Sequence, residues 1–326
     1  MKLKKKTFII AEVGNNHEGS FVVAKKLVVL AAKAGADAVK FQTFKTQNFI
    51  RKEDKKRFNQ LKKFELSYDQ FASLKKLANK YKIKFISTPL DLESANFLLN
   101  NADAIKIASG DNNFFPLIEK VLISKKSLII STGMTDIKDL KYLIKTIEDR
   151  IGKEKMKNKI SLLHCVTSYP VEDKHANLKS ISYLIKNFDI NIGYSDHTIG
   201  NEACLASVAL GAKIIEKHFT LDKNFSKFRD HALSADFSDL KNMVKSIRKI
   251  EKQLGEYNKK IARPEKKIIK VIRRGVYAKS VIKKGEKTST LNTNFLRPSN
   301  SKDFLHIKKI IGKKTKNRKE KNQIIG

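Results

Sequence analysis

The chain has 326 residues, of which 41% are hydrophobic and 14 are glycine, a globular composition that excludes disorder along its whole length. Basic residues outnumber acidic ones 68 to 33, for a formal charge of +35, yet only ten are Arg and the lysines are scattered, which favours a solvated basic surface over a nucleic-acid interface. Cys165 and Cys204 make no disulfide framework, no stretch has the length of a membrane span, and Glu12 cuts short the apolar stretch that follows the basic N-terminal run, so no export signal is expected.

From the N-terminus, short β-branched runs alternate with longer segments of helical period, the pattern of a parallel sheet covered by helices. FIIAEVG at 8 to 14 leads to a helix at 20 to 34 ended by Gly35, and DAVKFQTF at 37 to 44 forms a second strand. The long charged connection 45 to 68 reads as a surface loop with a short helix, followed by a helix at 69 to 81. Strands at 83 to 90, 104 to 110, 128 to 134, 160 to 170, 190 to 198 and 213 to 220 then alternate with helices at 91 to 100, 115 to 123, 136 to 149, 176 to 187 and 199 to 210, with a last helix at 236 to 254. Eight strands close a TIM (β/α)8 barrel, which places a catalytic domain at 1 to 254. Residues 255 to 270 read as a polar linker, and 271 to 326 as a small β-rich module punctuated by Lys284-Gly285 and Pro298.

Barrel enzymes carry their chemistry where the strands end. Lys40 and Lys106 lie inside apolar runs, where an unpaired ammonium is strongly disfavoured. Either each faces an anion, with Ser109, Ser131 and Ser195 supplying hydroxyls around a phosphate or phosphorylated carboxylate, or each pairs with a carboxylate such as Glu12 or Glu216. His197 and His218 end adjacent strands, so their imidazoles can converge on a metal ion that keeps positions open for water and substrate. Glu12 is then a general base or orienter, or simply the ion-pair partner of Lys40. Cys165 reads as inert packing, and His17 and His164 as core or supporting residues.

The strings AEVGNNHEG, KFQTF, STPLD, KIASGD, STGM, LHCVTSYP, GYSDHT, EKHFT and RDHALSAD, in that order, closely resemble the sialic acid synthase family, and the tail resembles its antifreeze-like (SAF, β-clip) domain. The resemblance implies a cytoplasmic transferase that condenses phosphoenolpyruvate with an open-chain N-acylated amino-hexose, N-acetylmannosamine or a 2,4-diacetamido-trideoxy relative. The products are a nine-carbon sugar acid for cell-surface polysaccharide or other glycoconjugates (N-acetylneuraminate, legionaminate or pseudaminate) and inorganic phosphate. It implies a divalent metal on His197 and His218, Mn2+ first with Mg2+ or Co2+ as alternatives, polarising the sugar aldehyde. Lys40, Gln42, Thr88, Lys106, Ser109, Ser131 and Ser195 would hold phosphoenolpyruvate, while Thr167, Tyr169, Asp230 and Glu12 would face the sugar, with Glu12 the acid/base participant. It also implies a domain-swapped homodimer in which the small domain lends Arg273 or Arg274 to the sugar's N-acyl group. Three positions depart from the family's pattern: Gly275 stands for a common Ser, Thr167 for an Asn found in some members, and Phe-Arg-Asp precedes His231 in place of Gly-Pro-Asp. Two rival readings are a synthase for sugar phosphates on the same barrel, which needs a second basic cluster, and a polyanion-binding protein without catalysis.

Overall fold

The computed structural model describes residues 6–297 and 307–325, and the chain divides into two compact units, Met1–Gly255 and Glu256–Gly326. Pro298 lies outside the described residues. The first unit alternates β1 (Phe8–Gly14), α1 (Phe21–Ala34), β2 (Ala38–Thr43), α2 (Thr46–Phe49), α3 (Lys55–Phe64), α4 (Tyr68–Lys80), β3 (Lys84–Pro89), α5 (Leu92–Asn101), β4 (Ala104–Ile107), α6 (Phe115–Leu122) and β5 (Ser127–Ser131). It continues through α7 (Ile137–Ile151), α8 (Lys153–Lys159), β6 (Ile160–Cys165), α9 (Lys179–Asn187), β7 (Asn191–Asp196), α10 (Glu202–Ala209), β8 (Ile214–His218), α11 (Asp230–Leu233) and α12 (Phe237–Leu254). The eight strands pair in sequence order, all parallel, and β8 closes on β1. Helix starts follow capping chemistry: Ser20 accepts from Val23 N, Ser67 and Gln70 form a reciprocal box, and Asp91 accepts from Ser94 N at 2.7 Å.

Strand alternation builds two cores. Outward residues such as Ile9, Ala11, Val39, Phe41, Phe85, Ile105, Ile130, Leu162 and Ile215 pack under the helices. Inward, Ile10, Ala38, Ile86, Ala104, Ile129, Leu163 and Ile214 fill one layer across the barrel. That layer is filled so closely that a Cβ on Gly193 would meet Ile214 O at 2.5 Å and Leu163 Cδ2 at 2.6 Å, so only glycine fits there. Two residues further along each strand the inward position turns polar or reactive: Glu12, Lys40, Thr88, Lys106, Ser131, Cys165, Ser195 and Glu216.

The structure corrects several expected boundaries. Connection 45 to 68 is mostly helical, as α2 and α3, and is tied down: Thr46 is buried and gives both its N–H and hydroxyl to Glu65 at 2.9 and 2.8 Å, with Phe64 and Leu66 buried behind it. The strand expected at 160 to 170 stops at Cys165, and that at 190 to 198 stops at Asp196, because the residues beyond them turn into the site. Helix α8 sits in a segment too charged to show a clear apolar stripe. The segment 255 to 270, expected as a linker, is not extended throughout: α13 (Arg263–Ile272) takes up its second half, where Pro264 suits the first helical turn and Glu265 accepts from Ala262 N. In the same unit β9 (Gly275–Ala278) pairs antiparallel with β10 (Thr293–Leu296), and α14 (Ile307–Ile310) follows. Val276, Ala278, Ile282 and Ile325 make its small core. Among the described residues no helix is long and apolar enough to cross a membrane.

Candidate active site

The polar layer forms the floor of a cavity of about 890 Å³ at the C-terminal mouth of the barrel. Every barrel residue singled out from the sequence lines it: Glu12, Lys40, Gln42, Thr88, Lys106, Ser109, Ser131, Thr167, Tyr169, Ser195, His197, His218 and Asp230. The barrel seam brings them together. Glu12 is the register partner of Lys40 on β2 and of His218 on β8, and Ser195 is the partner of Glu216. Arg273 and Arg274 belong to the second unit, where Arg274 donates to Phe295 O at 2.7 Å.

The two buried lysines differ. Lys40 Nζ lies 2.8 Å from Glu12 and 3.7 Å from Glu216, and donates to Thr88 Oγ1 at 3.2 Å. Its anion is therefore internal, the carboxylate pairing that sequence had left as the alternative. Lys106 Nζ donates to Ile107 O at 2.9 Å and to Ser131 Oγ at 2.5 Å, and among the described residues no carboxylate lies within ion-pair distance of it. Burial holds Lys106 below the usual lysine range, Glu216 opposing this from a distance; burial acts the same way on Lys40, but Glu12 and Glu216 outweigh it and hold that group above its usual value. An anion arriving at the floor finds its least compensated cation in Lys106, with the Ser131 hydroxyl against it. The Ser109 hydroxyl is held by Gly133 N at 3.1 Å, where a Cβ on Gly133 would collide with Thr167 Oγ1.

Glu12 and Glu216 face the same ammonium and settle differently. Burial, opposed by Lys40 and reinforced by Glu216, pushes Glu12 up to about 7. Glu216 resists its burial through Lys40 and Lys106 and is held below its usual value, with Ser195 donating to it at 2.8 Å. One carboxyl can carry a proton at neutral pH while its neighbour stays ionised, the arrangement an acid/base pair needs. Sequence reasoning treated Glu216 only as an ion-pair partner, although strand alternation already puts it on the same face as His218.

The rings of His197 and His218 lie 5.2 Å apart between centroids, with Tyr169 against both at 4.2 and 6.1 Å. His197 Nδ1 donates to Val166 O at 2.8 Å, which presents Nε2 as its free lone pair. His218 Nδ1 is buried and, among the described residues, has no hydrogen-bond partner. Burial holds both imidazoles below the usual histidine range, so both are neutral donors, as a metal requires. Among the described residues no set of three His, Cys, Asp or Glu is grouped for a metal, so an ion here would rest on this pair and complete its coordination with water and substrate oxygens.

Several strand-end residues serve the scaffold. Asp196 and Lys217 turn outward and bond each other, Asp91 caps α5, and Asn16 donates to Phe219 O and Ser234 Oγ. His164 bonds Ala176 O, and His17 accepts from Gly19 N. Cys165 lines the cavity, but burial raises its thiol, as expected for an unreactive residue. The mouth adds residues that sequence reasoning did not assign to the site: Phe49, Lys56, Arg57 and Leu61 from the 45 to 68 segment, and, ahead of α11, Lys227 with Phe228 and Arg229 of the Phe-Arg-Asp departure noted above. The first four lie on α2 and α3, in a stretch whose charge hides the helices, and the last three in the irregular segment before α11, where no periodicity tells which side chain faces inward.

A model of the NeuB family matches residues 27–259. An uncharacterised protein of Methanocaldococcus jannaschii is 46% identical over 98% of this chain and 93% of its own length. The N,N'-diacetyllegionaminic acid synthase of Campylobacter jejuni is 41% identical over 97% of this chain and 98% of its own length. The crystal structure of an N-acetylneuraminic acid (sialic acid) synthetase from Leptospira borgpetersenii, in complex with citrate, superposes with a TM-score of 0.75 at 35% identity, covering 81% of this chain and 90% of that one.

Proposed function

The chain belongs to the NeuB family, and from that premise we propose that it condenses phosphoenolpyruvate with an open-chain N-acylated amino-hexose to give a nine-carbon sugar acid and inorganic phosphate. The observation that carries the reading is the joint placement, in one cavity, of a hydroxyl-flanked ammonium that has no carboxylate at ion-pair distance among the described residues (Lys106) and a neutral imidazole pair (His197 and His218). The first suits a phosphorylated carboxylate and the second an ion that draws electron density from a sugar carbonyl.

In this mechanism Lys106, Ser109, Ser131 and Ser195, with Lys40, Gln42 and Thr88 beside them, hold and orient phosphoenolpyruvate. His197 and His218 would hold a divalent ion, Mn2+ before Mg2+ or Co2+, whose contribution is Lewis-acid polarisation of the acceptor aldehyde. Carbon 3 of phosphoenolpyruvate forms the new bond to the aldehyde carbon, and the aldehyde oxygen takes up a proton. Water adds at carbon 2 and loses a proton, and phosphate departs with the bridging oxygen, taking up the proton that the new carbon-2 hydroxyl gives up as it becomes the ketone. Glu12, buried beside Lys40 with its pKa lifted by burial, is placed to give the first proton or take the second, and Glu216 keeps the Lys40 charge in balance. Thr167, Tyr169 and Asp230 line the side left for the sugar.

The second unit we read as an SAF-type module, and the working form as a cytoplasmic homodimer in which Arg273 or Arg274 of one subunit serves the other's sugar. The full-length relationship to the Campylobacter synthase favours a diacetamido acceptor over N-acetylmannosamine. The test is phosphate release with product mass for N-acetylmannosamine, 2,4-diacetamido-trideoxy-hexoses and arabinose 5-phosphate, with Mn2+ present. Release with an N-acyl amino-hexose supports the reading, and release with arabinose 5-phosphate alone overturns it.

A further inference from the structure

We propose that Arg229 is a specificity-determining residue that donates a hydrogen bond to an N-acyl carbonyl of the acceptor sugar; this rests on the synthase reading above. Its guanidinium carbon stacks 4.4 Å from the centre of the Tyr169 ring, and that ring in turn lies against His197. The guanidinium is therefore one aromatic ring away from the imidazole pair where the aldehyde is to react, within reach of substituents on the neighbouring sugar carbons.

The stack fixes the plane of the fork, and Nε sits 3.4 Å from Asp230 Oδ1. Among the described residues the two terminal amino groups have no protein acceptor, and the side chain is two-thirds exposed on the wall of the cavity. The Asp230 carboxylate balances the guanidinium charge, so the pair offers directed donors with little net charge. This favours a neutral amide oxygen over a phosphate, which would meet the adjacent carboxylate. Phe228 lines the same wall and supplies apolar surface for an acyl methyl. Asp230 Oδ1, buried and, among the described residues, facing Arg229 Nε without a hydrogen bond, is an acceptor for a sugar hydroxyl next to it. Because Arg229 comes from the barrel's own β8 loop, this contact does not depend on Arg273 or Arg274.

The experiment uses the full-length Mn2+-loaded enzyme, with Arg229→Met and Arg229→Lys. The acceptors are the N-acyl amino-hexose that the wild type uses best, the same sugar with hydroxyl in place of acylamino, and the acylated sugar bearing a terminal phosphate. Arg229→Met should lower kcat/KM for the acylated acceptor by about 10- to 100-fold, mainly through KM, while binding of phosphoenolpyruvate is unchanged and the wild type's discrimination against the hydroxyl analogue shrinks by the same factor. Arg229→Lys should recover part of the loss. Equal losses for acylated and hydroxyl acceptors, or none, would overturn the proposal while leaving the synthase reading intact. So would a loss confined to the phosphorylated sugar, since Arg229 would then be reading an anion. A wild type that releases no phosphate with any N-acyl amino-hexose would bring down the synthase reading and this contact with it.

Discussion

Replacing Lys217 by Met removes one half of an ion pair that holds the ends of β7 and β8 together. Lys217 Nζ lies 2.7 Å from Asp196 Oδ2 and 2.6 Å from Thr198 O, and the two side chains are 1% and 0% exposed. The other carboxylate oxygen, Asp196 Oδ1, accepts from Tyr194 OH at 3.0 Å and from the N–H and hydroxyl of Thr198, both at 2.8 Å. Without Lys217 the carboxylate keeps neutral donors but loses the one cation paired with it among the described residues, and breaking such a buried pair costs about 3–5 kcal/mol. For a unit of this size that is roughly 2–4 °C in Tm per kcal/mol. Asp196 and Lys217 immediately precede His197 and His218 in the chain, so the imidazole pair proposed to hold the ion should loosen along with the fold. The assay is urea denaturation of Lys217→Met, Asp196→Asn and the double variant, with Mn2+ affinity measured on each. The double variant should be less destabilised than the sum of the two single changes, with a coupling of about 1–3 kcal/mol. Additive effects, or a Lys217→Met protein as stable as the wild type, would refute the claim that this pair clamps the strand ends.

Lys106→Met should raise KM for phosphoenolpyruvate by about 10- to 100-fold with the fold retained, since one charged hydrogen-bond donor is lost from the floor; unchanged affinity in a direct binding titration would remove Lys106 from the anion site. His218→Ala should weaken Mn2+ binding by more than about 100-fold, a larger effect than loss of a residue behind a ligand, while circular dichroism stays native; Mn2+-dependent turnover at the wild-type rate would contradict the ligand assignment. Burial holds His17 down at about 4, against 6.5 for the free side chain. The unfolded chain therefore binds the extra proton throughout that window, and the contribution, on the order of 3 kcal/mol, is complete above the free-histidine value and lost as pH falls toward the folded one. Urea midpoints between pH 7 and 4.5 should fall less steeply for His17→Gln than for the wild type; parallel slopes would show that another group governs acid stability. In the full-length protein, alanine at Arg273 or Arg274 should raise KM for the acceptor with no change for phosphoenolpyruvate, if that arginine serves the sugar; wild-type kinetics for both variants would remove the second unit from substrate recognition.

Much of this molecule was legible before any coordinates. Eight apolar runs with helical segments between them sufficed for a closed barrel, because alternation with period two and amphipathic stripes are local signals. The site was legible for a related reason. Barrel topology sends every strand's C-terminal end to one mouth, so Glu12, Lys40, Lys106, His197 and His218 could be gathered from their positions at strand ends alone. What escaped was either non-periodic or decided across the seam. Helix α13 was hidden by its polar composition, and Arg229 lies in a loop whose side-chain directions no pattern encodes. The sequence shows two equivalent lysines in apolar strands, and only strand pairing together with closure of the barrel makes them unequal. The β1–β2 register sets Glu12 beside Lys40 and closure of β8 onto β1 brings Glu216 within reach, so one ammonium is neutralised from within while Lys106, among the described residues, has no carboxylate at ion-pair distance. Coulombic pairing depends on distances of a few ångströms between groups that stand far apart in the chain, as Lys40 and Glu216 do. No local propensity carries that information, and the packed barrel does.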